Sequence, residues 1–161
     1  MPISYHLGDV SGVLPAGKKC VVCHVCNDIG RWRKGFMAAL SEHSHRPETS
    51  YRSWYSQRHD RRTAYPPFRL GEVYFARHGW ATINVANMIA QHGLRGSPAV
   101  QYDALEKCFE KVSVWMEQVN NVIVVVPRYG LGDAEWDKVE PIVQKTLSKW
   151  EVNVYDLEIK T

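Results

Sequence analysis

The chain has 161 residues, of which 45% are hydrophobic and 23% charged, and these proportions are typical of one folded globular domain. No apolar run reaches the roughly 20 residues that a membrane-spanning helix needs, and the first residues lack a secretory signal pattern, so we expect a cytoplasmic protein. The net charge of +3 is too small for a dedicated nucleic-acid-binding protein.

The charge is unevenly distributed along the chain. Residues 1–100 carry 13 lysines and arginines against 6 acidic residues, whereas residues 101–161 carry 7 against 11. An anionic partner is therefore expected to bind the first part of the chain. A small ligand that bears phosphate groups suits this modest excess better than a nucleic-acid polymer does.

Hydrophobic patterning predicts the elements of the first part of the chain. Residues 3–7 alternate as in a short strand, and residues 19–26 form a β-branched run typical of a buried strand. Glycines and charged residues interrupt this run over 27–35, and a helix is predicted to begin at Phe36. A second helix is predicted over residues 48–57, followed by a loop that ends at two prolines.

The remaining elements are also predicted from periodicity. Residues 71–90 indicate two strands around a turn, and apolar residues at helical spacing over 105–119 predict an amphipathic helix. The uninterrupted Val/Ile run at 121–127 predicts a central strand covered on both faces. A helix over 137–148 and a strand over 152–158 complete the chain.

Alternating strands and helices, with two fully apolar strands among them, predict a particular fold class. The expected architecture is α/β: a three-layer α/β/α sandwich with a mixed central sheet, formed by residues 1–161 as a single domain. Pro141 is tolerable only in the first turn of the last helix, because a proline farther inside would remove a backbone hydrogen bond.

The loop after the strand at 19–26 has the composition of a phosphate-binding loop. Its two glycines let backbone amides approach an oxyanion, the helix start adds a partial positive charge, and three basic side chains add full charges. It is not a P-loop, because the GxxxxGK[ST] pattern is absent. The predicted ligand-binding residues of this first loop are Gly30, Arg31, Trp32, Arg33, Lys34, Gly35 and Phe36.

The loop after residues 121–127 is also rich in glycine and also precedes a helix. Its amides would suit a second phosphate, although an ordinary strand-to-helix turn has the same pattern. Ligands bind beyond the carboxyl ends of central strands in such sheets, so the two loops together predict a diphosphate site. The predicted ligand-binding residues of this second loop are Arg128, Tyr129, Gly130, Leu131 and Gly132, and Asp133 follows them.

Four segments resemble the macro domain family, which binds ADP-ribose, in the order that the family has them. Gly8-Asp9-Val10 is similar to the family's adenine-binding element, and His24 to Asn27 with Gly30-Arg31-Trp32 is similar to the first phosphate loop of the yeast ADP-ribose 1″-phosphate phosphatase branch. Residues 127–133 resemble the second phosphate loop, and residues 154–157 resemble the terminal strand. The resemblance covers nearly the whole chain and implies the macro-domain fold.

The resemblance implies roles for individual residues. Asp9 would accept a hydrogen bond from the adenine amino group, beside the Val10 amide. Asn27 would face the distal ribose, and Asp133 lies where the terminal ADP-ribose glycohydrolase branch has a catalytic aspartate; both are predicted catalytic residues. That branch also uses a lysine on a strand that matches residues 74–77 here, and this stretch contains no lysine. Its one basic residue is Arg77, and since arginine stays protonated, no lysine-adduct mechanism is expected.

The expected function is binding of ADP-ribose or a derivative, with hydrolysis of a group at the distal ribose. An ADP-ribosyl hydrolase, an ADP-ribose 1″-phosphate phosphatase and a deacetylase all fit this expectation. The alternatives are a reader that binds ADP-ribose without chemistry and a module that binds single-stranded nucleic acid. The expected partner is ADP-ribose or an ADP-ribosylated substrate, with nucleic acid only as such a substrate. No cofactor and no metal is expected, and the chain is expected to be a monomer.

The cysteines of the strand at 19–26 permit two other hypotheses. Cys20 to His24 matches a CxxCH haem-attachment string, and Cys26 adds a further metal-ligating side chain. Alternation along a strand sends Cys20 and Cys23 to opposite faces, so they cannot hold one haem, and a zinc ion would lack a fourth ligand. We interpret these cysteines as buried, reduced thiols.

Residues 41–70 combine six arginines with several aromatic residues. Such a stretch could stack on the bases of a nucleic acid, or it could be a solvated surface above packed aromatic side chains. The second interpretation is favoured, because cations do not dominate the stretch. Asn87, Gln91 and His92 are further candidates for the border of an adenine pocket.

Overall fold

The structure is a computed structural model that describes residues 3–8, 18–79, 82–96 and 98–157. The predicted adenine contacts, Asp9-Val10, lie outside the described residues. All element positions predicted from the sequence agree with the structure to within about three residues, a scatter that is normal for element boundaries.

One six-stranded mixed sheet forms the centre of the molecule, as predicted. Its strands follow the spatial order β1-β6-β5-β2-β4-β3, and every neighbouring pair is parallel except β3 and β4. All eight residues of the central strand β2 are buried, because sheet neighbours and helices cover it on every side. The strands are β1 (Ile3–Leu7), β2 (Cys20–Asn27), β3 (Val73–Arg77), β4 (Ile83–Gln91), β5 (Ile123–Pro127) and β6 (Val152–Asp156).

Helices cover both faces of the sheet, which confirms the three-layer α/β/α architecture. The first two helices of the chain pack on one face of the sheet, and the last two pack on the other face. The helices of the described residues are α1 (Phe36–His43), α2 (Arg46–Ser56), α3 (Tyr102–Met116) and α4 (Trp136–Thr146). None of them is long and apolar enough to cross a membrane.

The helix α3 is amphipathic as its periodicity predicts. Leu105, Phe109 and Val112 are fully buried and anchor the largest core cluster. The expectation that Pro141 is tolerable only in the first turn is wrong, because α4 begins at Trp136 and the proline lies in its second turn. Proline lacks the amide hydrogen that would bond back to the preceding turn.

The strand β2 divides its cysteines between the two faces of the sheet, as the alternation predicts. Cys20 packs on the side of α1, whereas Cys23 packs on the side of α3. Burial raises the pKa of Cys20 to about 11, and all four cysteines are buried free thiols. Within the described part of the chain, no three His, Cys, Asp or Glu side chains come together to hold a metal ion.

The stretch 41–70 is a solvated surface above packed aromatic rings, which confirms the favoured interpretation. Tyr51 and Trp54 are fully buried. Tyr55 packs edge-on against Phe68, with ring centroids 5.1 Å apart. The rings of Tyr51 and Trp54 are therefore not available for stacking on bases. The exposed arginines of this stretch are Arg46, Arg52, Arg58, Arg61, Arg62 and Arg69.

Candidate functional site

A cavity of about 600 Å³ lies at the carboxyl ends of β2 and β5, which are neighbours in the sheet. Both predicted loops border it, because each follows one of these two parallel strands. The residues that line the cavity are His24, Val25, Asn27, Arg31, Trp32, Arg33, Lys34, Phe36, Met37, Gln91, Leu94, Tyr129, Gly130 and Gly132.

The side chain of Asn27 orders the first loop. Its Oδ1 accepts hydrogen bonds from the amides of Ile29, at 3.2 Å, and Arg31, at 3.1 Å, while its Nδ2 donates to the Arg31 carbonyl, at 2.8 Å. The Tyr51 hydroxyl lies 2.9 Å from the same Oδ1. Asn27 is 3% exposed, so these bonds lie out of the solvent and fix the start of the loop.

The close approach of α2 explains why the first loop carries a glycine at position 30. Gly30 has φ of +75°, and a Cβ atom there would lie 2.4 Å from the Tyr55 ring. Only glycine combines this left-handed conformation with a ring pressed against the backbone. The loop is therefore held between its own hydrogen bonds and the aromatic surface of α2.

The amino end of α1 borders the cavity and has no capping side chain. The N-cap residue Gly35 makes no side-chain hydrogen bond, and no acidic residue occupies the first turn. The first amides of a helix have no partner inside the helix and carry a partial positive charge. Because Phe36 and Met37 line the cavity, this end of α1 is suited to an anion.

The second loop meets the amino end of α1. It begins with a short 3-10 turn, Arg128–Gly130, directly after β5. The rings of Phe36 and Tyr129 lie 5.6 Å apart, and a Cβ atom on Gly130 would lie 3.0 Å from the Phe36 ring. The two loops therefore converge on one side of the same cavity.

The charges around the cavity favour an anionic ligand. Arg31, Arg33 and Lys34 line it, and none of the described lining residues is acidic. The nearby carboxylate of Asp28 is turned to His92, with Oδ2 2.7 Å from Nδ1. The basic residues of the first loop are therefore not neutralised within the cavity.

Trp32 forms part of the cavity wall in a fixed orientation. Its indole Nε1 lies 2.8 Å from Ser41 Oγ and 3.0 Å from the Met37 carbonyl, and donates to them. The ring also packs edge-on against His24, with centroids 5.7 Å apart. The indole therefore presents a prearranged surface to a ligand.

His24 lines the cavity, although the sequence analysis did not name it among the ligand-binding or catalytic residues. The Asn87 Nδ2 donates to the Pro47 carbonyl at 3.1 Å, which turns its Oδ1 toward His24 Nε2, 2.6 Å away. This Nε2 must therefore carry a proton, and Nδ1 is left as an acceptor with no partner in the described structure. Burial lowers the pKa of His24 to about 4, so the ring is neutral at neutral pH.

Several predicted ligand-binding residues lie outside the cavity wall. Arg128 forms an ion pair with Asp156, at 3.3 Å, and Leu131 is a core residue with 1% exposure. Asp133 accepts hydrogen bonds from the backbone amides of Ala99, at 2.8 Å, and Val100, at 3.0 Å. Sequence patterning places these residues in the loop but does not give the directions of their side chains.

Of the three candidates beyond the two loops, His92 contacts Asp28, and the other two also have defined places. Asn87 is fully buried beneath α2 and does not line the cavity, whereas Gln91 does line it. Arg77 lies near the end of the edge strand β3 and lines a different cavity, beside Arg46 and Tyr74. The one basic residue of the stretch that matches the related branch's lysine-bearing strand is therefore directed away from the two loops.

The fold and the cavity together define a three-layer α/β protein with a basic cavity bordered by two loops. A macrodomain protein from Streptomyces coelicolor is similar to it, with 35% sequence identity, a TM-score of 0.81, and 96% of this chain and 99% of that chain covered. A protein of unknown function from Bacteroides thetaiotaomicron is similar at 36% identity and a TM-score of 0.83, with 98% and 99% covered. The chain belongs to the macrodomain family.

More distant structures share the fold alone. Thermosipho africanus DarTG, solved in complex with ADP-ribose, has 15% sequence identity and a TM-score of 0.76, and the match covers 100% of this chain and 43% of that one. Neither the protein-family models nor the curated proteins gave a match to the sequence.

Proposed function

We propose that the chain binds ADP-ribose or an ADP-ribose derivative between its two loops, and that it hydrolyses a group attached to the distal ribose. The observation that carries this proposal is the contact of Phe36 with Tyr129 and Gly130, which brings the start of α1 and the second loop to one cavity. A diphosphate has two anionic groups close together, and two converging loops supply donors for both.

The charge of the cavity supports the same ligand class. The diphosphate of ADP-ribose is anionic, and Arg31, Arg33 and Lys34 line the cavity without an acidic neighbour in the described wall. The volume of about 600 Å³ also lies within the usual range for small-molecule sites. The ADP-ribose in the Thermosipho africanus neighbour is consistent with this assignment.

Hydrolysis at the distal ribose requires a positioned sugar and an activated water. In this proposal Asn27 positions the ribose, because it lines the cavity and four hydrogen bonds fix its side chain. The resemblance gives Asp133 as the base, but both of its oxygens accept backbone amides. A phosphate of the ligand is the other group that could take the proton from the water.

Calorimetry and product analysis test this proposal together. We expect ADP-ribose to bind with one-to-one stoichiometry, and we expect release of product from ADP-ribose 1″-phosphate, acetylated ADP-ribose or an ADP-ribosylated protein. The absence of ADP-ribose binding at millimolar concentration would contradict the proposal. Binding without product from any of the three substrates would instead support the reader.

The reader that binds without chemistry is the second candidate, and one observation favours it. Arg77 is the one basic residue of the stretch that matches the related branch's lysine-bearing strand, and its side chain lines another cavity. A guanidinium is also a poor nucleophile, because it remains protonated. Cytoplasmic location and a monomeric state remain predictions from the sequence.

A further inference from the structure

The segment between β4 and α3 forms a closed loop beside the cavity. Gln91 and Val100 form an antiparallel bridge, and the His92 amide donates to the Ala99 carbonyl at 3.0 Å. We call residues 92–100 the strap; residue 97 lies outside the described residues. Leu94 of the strap and the adjoining Gln91 line the cavity.

The first loop holds one end of the strap through Asp28. Its Oδ1 accepts the Gly93 amide at 2.7 Å, and its Oδ2 lies 2.7 Å from His92 Nδ1. An ionised carboxylate has only acceptors, so this Nδ1 carries the proton. The Asp28 amide also donates to the Gln91 carbonyl at 3.0 Å, which joins backbone to backbone at the same end.

The second loop holds the other end of the strap through Asp133. Its Oδ2 accepts the Ala99 amide at 2.8 Å, and its Oδ1 accepts the Val100 amide at 3.0 Å. The preceding Gly132 packs so closely on the strap that a Cβ atom there would lie 2.9 Å from Gln91 Oε1 and from Val100 Cγ2. Each loop is therefore joined to the strap by one carboxylate, which accepts hydrogen bonds from two donors of the strap.

The sheet order places the strap at one end of the cavity. The strap follows β4, whereas residue 9, which the resemblance gives to the adenine, follows β1. Four strand intervals separate β1 from β4 in the sheet, a distance of about 19 Å. A nucleotide whose adenine lies near β1 and whose phosphates lie at β5 and β2 therefore directs its distal ribose toward the strap.

We propose that Asp28 and Asp133 are paired positioning residues, which hold the strap as the wall that contacts the distal ribose and selects the group attached to it. This inference rests on the proposed function. It gives Asp133 a role through the strap rather than as a base, because each of its oxygens already accepts a hydrogen bond from a backbone amide of the strap. Bonds from amides to a carboxylate are stronger than bonds to a neutral acceptor, so the charge itself matters.

The amide variants Asp28→Asn and Asp133→Asn test the proposal from opposite ends of the strap. An asparagine has one acceptor oxygen and presents an N–H group to the second donor. We expect calorimetry to show affinity for ADP-ribose about tenfold lower in each variant, whereas affinity for ADP, which lacks the distal ribose, stays within about twofold. Hydrogen exchange should be faster at the Gly93 amide in Asp28→Asn. It should be faster at the Ala99 and Val100 amides in Asp133→Asn.

The matched control is Asp137→Asn, which alters an exposed acid in the first turn of α4 and should change neither affinity. If Asp133→Asn binds ADP-ribose as the wild type does but loses turnover, Asp133 is a base and the proposal is overturned. Equal losses for ADP and ADP-ribose would also overturn it. If the wild type binds no ADP-ribose, the proposed function fails instead. The hydrogen-exchange measurements then still show whether the two carboxylates hold the strap.

Discussion

The Tyr51 hydroxyl on α2 lies 2.7 Å from the backbone oxygen of Asn27 and 2.9 Å from its Oδ1, and it donates its single proton between them. The helix α2 is thereby joined to the residue that begins the first loop. The bond is buried, and burial raises the pKa of Tyr51 above its ordinary value. The geometry of the loop therefore depends on a packed helix as well as on the loop sequence.

Replacement of Asn27 by Asp should disorder the first loop. The donor Nδ2 would become an oxygen, 2.8 Å from the Arg31 carbonyl, so two acceptors would face each other in a buried site. We expect a loss of about 2 kcal/mol in the free energy of unfolding, measured in urea, and weaker binding of ADP-ribose. Asn120→Asp, at an exposed position, is the control. Equal stability of the two variants would contradict the role given to Asn27.

Gly30→Ala should destabilise the protein through a clash as well as through its backbone angle. The new Cβ atom would lie 2.4 Å from the Tyr55 ring, with φ at +75°. Gly93→Ala provides the control, since Gly93 has φ of +62° and no atom within 4 Å of a Cβ there. We expect thermal unfolding to show a clearly larger loss for Gly30→Ala, by about 1–3 kcal/mol. A similar loss for both variants would mean that backbone strain alone is responsible.

The basic residues of the first loop should attract the diphosphate in a salt-dependent way. We expect Arg33→Ala and Lys34→Ala each to lower the affinity for ADP-ribose about three- to tenfold at low ionic strength, with a smaller effect in 0.5 M salt. Lys149→Ala is the control, because this lysine pairs with Glu117 and does not line the cavity. An unchanged affinity in both loop variants would place the diphosphate elsewhere.

The buried His24 should make stability fall in acid. Its pKa is about 4 in the folded chain against an ordinary value of 6.5, so between these pH values the unfolded chain binds a proton that the folded chain does not. The contribution is complete above pH 6.5 and is lost as the pH falls toward 4, by about 3 kcal/mol. Burial lowers the pKa of His78 as well, with the same sign.

Urea unfolding at several pH values measures this effect. The wild type should lose more stability between pH 7 and pH 4.5 than His24→Gln does, because the variant lacks the buried imidazole of His24 and keeps only that of His78. His59→Gln, at an exposed position, should follow the wild type. Parallel curves for the wild type and His24→Gln would show that His24 does not titrate as the burial implies.

The sequence predicts the sheet and the two loops because their signals are local. The β-branched runs of β2 and β5 are apolar apart from His24 and Asn27 of β2, and such runs are typical of central strands. Glycines and basic residues then mark the turns that follow. The start of α4 was predicted to within one residue, but the rule that confines proline to the first turn did not hold for Pro141, because the packing of a whole helix can outweigh a local preference.

The directions of polar side chains could not be predicted, because they depend on contacts between distant residues. Asp28 bonds residues 92 and 93, and Asp133 bonds residues 99 and 100. Both aspartates also have plausible local roles in a turn or at the start of a helix, and the sequence alone does not separate these roles. The orientation of His24 likewise depends on Asn87, 63 residues away.

A crystal structure of the protein with ADP-ribose would show whether both loops bind the diphosphate. We expect one nucleotide in the cavity, with its two phosphates within hydrogen-bond distance of backbone amides from both residues 32–36 and residues 130–132. Phosphates bound to only one of these segments, or a nucleotide bound on the arginine-rich surface of α2, would contradict it.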